Sequence, residues 1–197
     1  MDALDFFLLR YRELRAERGI VGDLRTGLSD DQWRRRPHPG VNPIGWLVWH
    51  AARVEDVGVN AFIANRPQVL HAGGWLDRMK TTRRDVGTGM TEAEVDALCT
   101  TLDLEGLRGY WEAVGRATLE VVESLRGEAI DDVVPAARVR QAAATDGVVA
   151  ASAGWLTEFW AKGRTRAWML TQTASLHPYG HYFEARVVKG LWGQPSP

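Results

Sequence analysis

Five histidines occur in this 197-residue chain, at positions 38, 50, 71, 177 and 181, and the last two stand four apart. On an α-helix that spacing puts two imidazoles on one face, close enough to share a divalent metal ion. The spacing alone is a weak signal, since five histidines in a chain of this length give some i,i+4 pair by chance about one time in ten. Its neighbours add weight. Ala167, Leu170, Thr171, Ala174, His177, His181, Glu184 and Val188 recur at helical spacing, so both imidazoles are expected to face an interior. Trp46, Leu47, His50, Val54 and Val57 repeat the pattern earlier in the chain and turn a third histidine inward. Three inward histidines on two helices suit a metal site with positions left open for water or substrate, an arrangement that suggests catalysis over a purely structural ion. The competing reading is a set of core histidines, each satisfied by one hydrogen bond, which is the commoner fate of a lone histidine on an apolar face.

Glu184, three residues after His181, could orient a ligand by accepting its free imidazole N–H, could ligate directly, or could act as a general base. The HExxH zinc-protease pattern is absent, because Pro178 follows His177 where that chemistry needs a glutamate. Inside a helix Pro178 also removes a hydrogen bond to residue 174 and is expected to kink the chain and re-aim His177. Ligation needs neutral imidazoles, so metal binding is expected to weaken as pH falls through their ordinary pKa of about 6.5. His38 and His71 sit beside Pro and Gly in expected loops, and Arg34-Arg35-Arg36 reads as a solvated run. Cys99 has no catalytic partner nearby in sequence and is expected to be structural. Of the nine tryptophans, Trp46, Trp49, Trp160 and Trp168 fall where they would pack a core, with one or two able to wall a pocket around a metal.

The elements that must position these side chains read as helices. Leu104, Leu107, Trp111, Val114, Thr118, Val121 and Leu125 form one stripe, closed by Gly127. Residues 3–26, 42–65 with Asn42 as N-cap, and 164–189 give three more long helices. Ser29 to Gln32 and Thr91 to Glu94 match capping boxes that open short helices. Residues 66–90 and 128–146 lack clean periodicity and read as long connections. Four long helices with short accessory ones predict an all-α four-helix bundle, in one domain over residues 1–197.

Composition narrows the function classes. With 45% hydrophobic and 25% charged residues the chain is long enough for one sizeable core. A formal net charge of -1 gives no global pull toward nucleic acid or an anionic membrane surface. One cysteine excludes an internal disulfide, and no apolar stretch approaches the roughly 20 residues of a membrane span. The expectation is a soluble cytoplasmic protein with no nucleic-acid or membrane partner.

Two stretches carry a resemblance. GLSDDQWRRRPHPGVNPIGWLVWHAARVED at 27–56 and HPYGHYFEA at 177–185 resemble the DinB superfamily of damage-inducible and metal-dependent four-helix proteins, which includes bacillithiol- and mycothiol-dependent transferases. Pro178 departs from the family's usual pattern, and Phe183 stands where many members have Gly. The resemblance implies that His50, His177 and His181 bind zinc, nickel or iron, that a long crossover joins the second and third helices, and that the chain forms a homodimer. It further implies an enzyme acting on a small molecule, a thiol S-transferase or a hydrolase, in which the metal activates a low-molecular-weight thiol co-substrate or water, with Glu184 positioning a ligand or moving a proton. The alternative is a non-catalytic, stress-associated protein that binds a small ligand in an apolar cavity.

Overall fold

The helices at Ala3–Arg15 and Leu104–Ser124 begin at capping aspartates and bury the face that their apolar residues define. The computed structural model describes residues 1–127 and 129–192, and these are helical throughout apart from turns, loops and one isolated bridge between Val133 and Thr165. Helix α1 (Ala3–Arg15) opens on a capping box between Asp2 and Asp5 and buries Leu4, Leu8, Tyr11 and Leu14. It does not continue to residue 26 as its periodicity suggests. The chain turns back at residues 16–19 and restarts as α2 (Ile20–Leu24). A Cβ on Gly19 would lie 2.3 Å from the Glu13 carbonyl oxygen, and one on Gly22 would lie 1.8 Å from that of Glu17, so only glycine permits this tight reversal.

The Ser29–Gln32 box opens α3 (Asp30–Arg34) as expected. Helix α4 (Ile44–Asp56) is capped by Pro43, not Asn42, and every one of its residues is buried. It runs without a break into a π-helical segment, Val57–Ile63. The crossover to the next long helix holds α5 (Val69–Ala72), α6 (Trp75–Arg78) and α7 (Glu92–Thr101). Thr91 and Glu94 form the second capping box. His71, expected in a loop, lies on α5 and is exposed. Helix α8 (Leu104–Ser124) buries the predicted stripe and is capped by Asp103, whose side chain accepts from the Gly106 N–H at 2.9 Å. Residues 129–161, partly read as a connection, carry α9 (Ala136–Thr145) and α10 (Trp155–Ala161). Helix α9 buries only Val139 and Ala142, too little apolar pattern to announce itself in sequence.

The last helical stretch is composite: α11 (Arg166–Thr171), a π-helical turn (Gln172–Leu176) and α12 (His177–Leu191). Helix α12 packs along α4 and α2, while α4 also packs along α8, which gives an all-α bundle with a crossover and accessory helices. The two π segments meet where Gly58 faces Thr173. A Cβ on Gly58 would stand 2.1 Å from Thr173 Oγ1. Two of the three arginines in the run are structural: Arg34 Nη1 donates to the Cys99 carbonyl at 3.0 Å and to that of Leu102, satisfying the end of α7, and Arg36 Nε bonds Asp96 at 3.0 Å, whereas Arg35 is exposed as expected. Among the described residues no helix is long and apolar enough to cross a membrane.

Candidate metal centre

His50 reaches the site from the middle of α4, and His177 and His181 from the first turns of α12. His50 Nε2 lies 3.1 Å from His177 Nε2, which lies 3.2 Å from His181 Nε2. Three ring nitrogens thus gather around a common point, and among the described residues this is the group of histidine, cysteine and acidic side chains placed to hold one ion. Pro178, expected to kink the chain, follows directly on a π-helical turn. In the π-helical turn the His177 N–H donates to the Gln172 carbonyl, five residues back, and Pro178 falls within the first turn of α12. There a missing N–H costs little.

Partners on the far sides of the rings fix their protonation. His50 Nδ1 bonds the Val86 carbonyl, and His181 Nδ1 stands 3.1 Å from Glu184 Oε2. A carbonyl or carboxylate oxygen only accepts, so both Nδ1 atoms carry the proton and both Nε2 atoms present a lone pair. His177 Nδ1 is buried without a partner. One proton on His177 Nε2 could serve one neighbour but not both, so lone pairs would face each other unless a cation stood between them. Nitrogens held about 2.0–2.1 Å from one ion sit about 3–3.4 Å apart, which matches the two spacings found here. The donor set therefore fits a divalent transition metal.

Burial reinforces this. It pulls the pKa of His50 down to about 3, helped by the neighbouring His181 ring and opposed by the Val86 carbonyl. His177 falls to about 2, through burial first and then its two histidine neighbours. Both rings stay neutral and ready to ligate well below neutral pH. The Trp46 indole stacks on His50, with centroids 4.6 Å apart and planes 8° from parallel, and its Nε1 lies 3.3 Å from Met90 Sδ. Trp46 is thus the tryptophan that walls the site. Trp49 is fully buried, Trp160 packs on Phe62, and Trp168 packs on Phe159. Cys99 is buried and its thiol is pushed up to about 12, so it is no nucleophile near neutral pH.

Sequence reasoning brought the three histidines and Glu184 together correctly as neighbours. It missed the Val86 carbonyl, which carries no side-chain signature. It also missed the charged residues Arg53, Glu55 and Asp56, all fully buried. Their signal was available: three charges within an otherwise apolar helix.

The model of the DinB superfamily matches residues 13–162. The chain belongs to the DinB superfamily. That match contains His50 and ends before His177 and His181, so the completeness of the triad in this DinB protein rests on its own geometry. No curated protein matches the chain. A solved structure described as the conserved protein of locus from Enterococcus faecalis is similar to it with a TM-score of 0.61, covering 97% of this chain and 94% of that one at 16% sequence identity. At that identity the likeness speaks for the fold alone.

Proposed function

We propose that this DinB protein is a metal-dependent enzyme in which His50, His177 and His181 hold one divalent zinc, nickel or iron ion, and that it catalyses thiol S-transfer or hydrolysis on a small electrophilic substrate. The observation that carries the reading is the convergence of three Nε2 atoms whose opposite nitrogens, in two of the three rings, are engaged by acceptors. Such an ion lowers the pKa of a bound low-molecular-weight thiol or water, making it nucleophilic near neutral pH. Three protein ligands leave room for that thiol or water. The chain's own residues supply the frame. Val86 and Glu184 hold two of the rings in the tautomer that ligates, Trp46 screens one side of His50 from water, and the part-exposed Glu184 carboxylate is placed to take up and release a proton at the rim.

The reading includes a homodimer. Leu176, Tyr179, Phe183, Val187 and Leu191 are 63%, 37%, 40%, 65% and 59% exposed and follow one another at helical spacing along α12 and the turn before it. They form a continuous exposed apolar stripe of the kind an interface between two copies would cover.

The test is elemental analysis of protein purified without a histidine tag or added metal, followed by turnover of an electrophile with and without added thiol. One metal per chain and thiol-dependent turnover support transfer, whereas thiol-independent turnover supports hydrolysis. No metal and no turnover refute the enzyme reading and favour a non-catalytic protein that binds a small ligand.

A further inference from the structure

Arg53 lies one turn beyond His50 on α4 and is completely buried. Its guanidinium forks between the bundle and the crossover. Nη2 donates to the Arg84 carbonyl at 2.6 Å and to Gln68 Oε1 at 2.7 Å, and Nη1 donates to the Tyr110 hydroxyl at 2.9 Å and Asp56 Oδ2 at 3.3 Å. Beyond its ion pair with Arg53, Asp56 accepts from the N–H groups of Val69 and Leu70, from Asn60 Nδ2 and from the Tyr110 hydroxyl, at 2.7–2.9 Å. Burying a guanidinium is costly, and Arg53 and Asp56 offset each other's charge at 3.3 Å with neither side chain exposed. What the fork adds is a rigid grip on a loop carbonyl.

That loop is the one that orients His50. Two residues after Arg84, the Val86 carbonyl accepts from His50 Nδ1. The segment is pinned on its other sides as well: the Val86 N–H donates to the Val148 carbonyl at 3.0 Å, and Asp85 Oδ1 accepts from the Gly87 N–H at 2.7 Å and from Arg83 Nε at 3.0 Å. Gly87 adopts φ +85°, and a Cβ there would stand 2.5 Å from the Trp49 ring, so the loop is pressed directly onto α4.

We propose that Arg53 is a positioning residue for the metal centre: by gripping the Arg84 carbonyl it fixes the 84–87 segment, and through Val86 it holds His50 with its proton on Nδ1 and its Nε2 aimed at His177. The proposal rests on the three-histidine metal reading given above. A purely structural arginine would affect folding stability but not the affinity or the ligand field of the metal in protein that is folded.

The experiment titrates metal-free protein with Co(II), reading the visible d–d absorption and obtaining Kd by competition with a chromophoric chelator. Wild type, Arg53→Met, Arg53→Lys, Asp85→Ala and His181→Ala are compared, each checked for folding by circular dichroism. Arg53→Met is expected to weaken binding about 10–100-fold and to change the Co(II) spectrum. Arg53→Lys, which keeps one donor for the carbonyl, should recover part of both. Asp85→Ala loosens the same segment without opening the core, so it should shift Kd in the same direction and serves as the deciding variant if Arg53→Met does not fold. Wild-type Kd and spectrum in folded Arg53→Lys and Asp85→Ala would overturn the proposal while leaving the metal site standing. Wild-type protein that binds Co(II) no better than His181→Ala would overturn the metal reading and this proposal with it.

Discussion

Acidification of the metal-free protein from pH 7 to pH 5 should expose the cost of burying His50 and His177. His50 and His177 have pKa values lowered by burial to about 3 and about 2, against an unfolded value near 6.5. Between those limits the unfolded chain binds more protons than the folded one, so stability falls as pH drops below about 6.5 and continues to fall toward pH 3. At pH 5 the unfolded histidine lies about 1.5 units below its pKa while the folded one remains neutral, which amounts to about 2 kcal/mol per histidine at ~1.4 kcal/mol per unit. The two rings touch, so their contributions couple, and the total for both is bounded at about 4 kcal/mol. For a chain of this size each kcal/mol moves Tm by about 2–4 °C, so the two rings together should lower Tm by up to about 8–16 °C. Thermal scans of chelator-treated wild type, His50→Gln and His177→Gln at both pH values measure it. Each substitution should remove roughly half of the pH-dependent loss. An equal loss in wild type and in both variants would mean that the two rings already take up protons in the folded chain, and the reasoning from burial would fail.

Three further outcomes follow from the same geometry. Glu184→Gln keeps a side-chain oxygen near His181 Nδ1, so it should weaken metal binding by no more than about 10–100-fold, whereas His50→Ala should abolish it; equal loss in an equilibrium titration would make Glu184 a ligand. Gly58→Ala drives a Cβ into Thr173, four residues before His177, and should cost about 1–3 kcal/mol while also weakening metal affinity; an unchanged Tm in a thermal scan would contradict the close packing of the two π segments. Val187→Glu places a charge in the exposed stripe of α12 and should convert a dimer to a monomer in sedimentation velocity, without changing the metal content per chain.

Much of this protein was legible before folding was considered. Ser29 and Thr91 cap helices because their side-chain oxygens meet backbone N–H groups three residues on, a purely local event. The stripe of α8 and the inward placement of His50, His177 and His181 follow from a period of 3.6 residues, which is likewise local. What the sequence hid was set by contacts between distant segments. The break after Arg15 depends on the close approach at Gly19 and Gly22, and α9 has too few buried residues to show a pattern. The π-helical turn just ahead of Pro178 had no signature in the sequence, and it lies against Gly58 of another helix. Sequence alone places proton competition at the ordinary imidazole pKa, whereas burial in the packed bundle moves it to about 3 for His50 and about 2 for His177. The orientation of His50 came from tertiary structure too, since its partner is the backbone carbonyl of Val86, 36 residues away. Residue types and spacing therefore specified which groups face inward, while their tautomers, their charge and the distances between them depended on packing, because desolvation and long-range hydrogen bonds exist only once the segments meet.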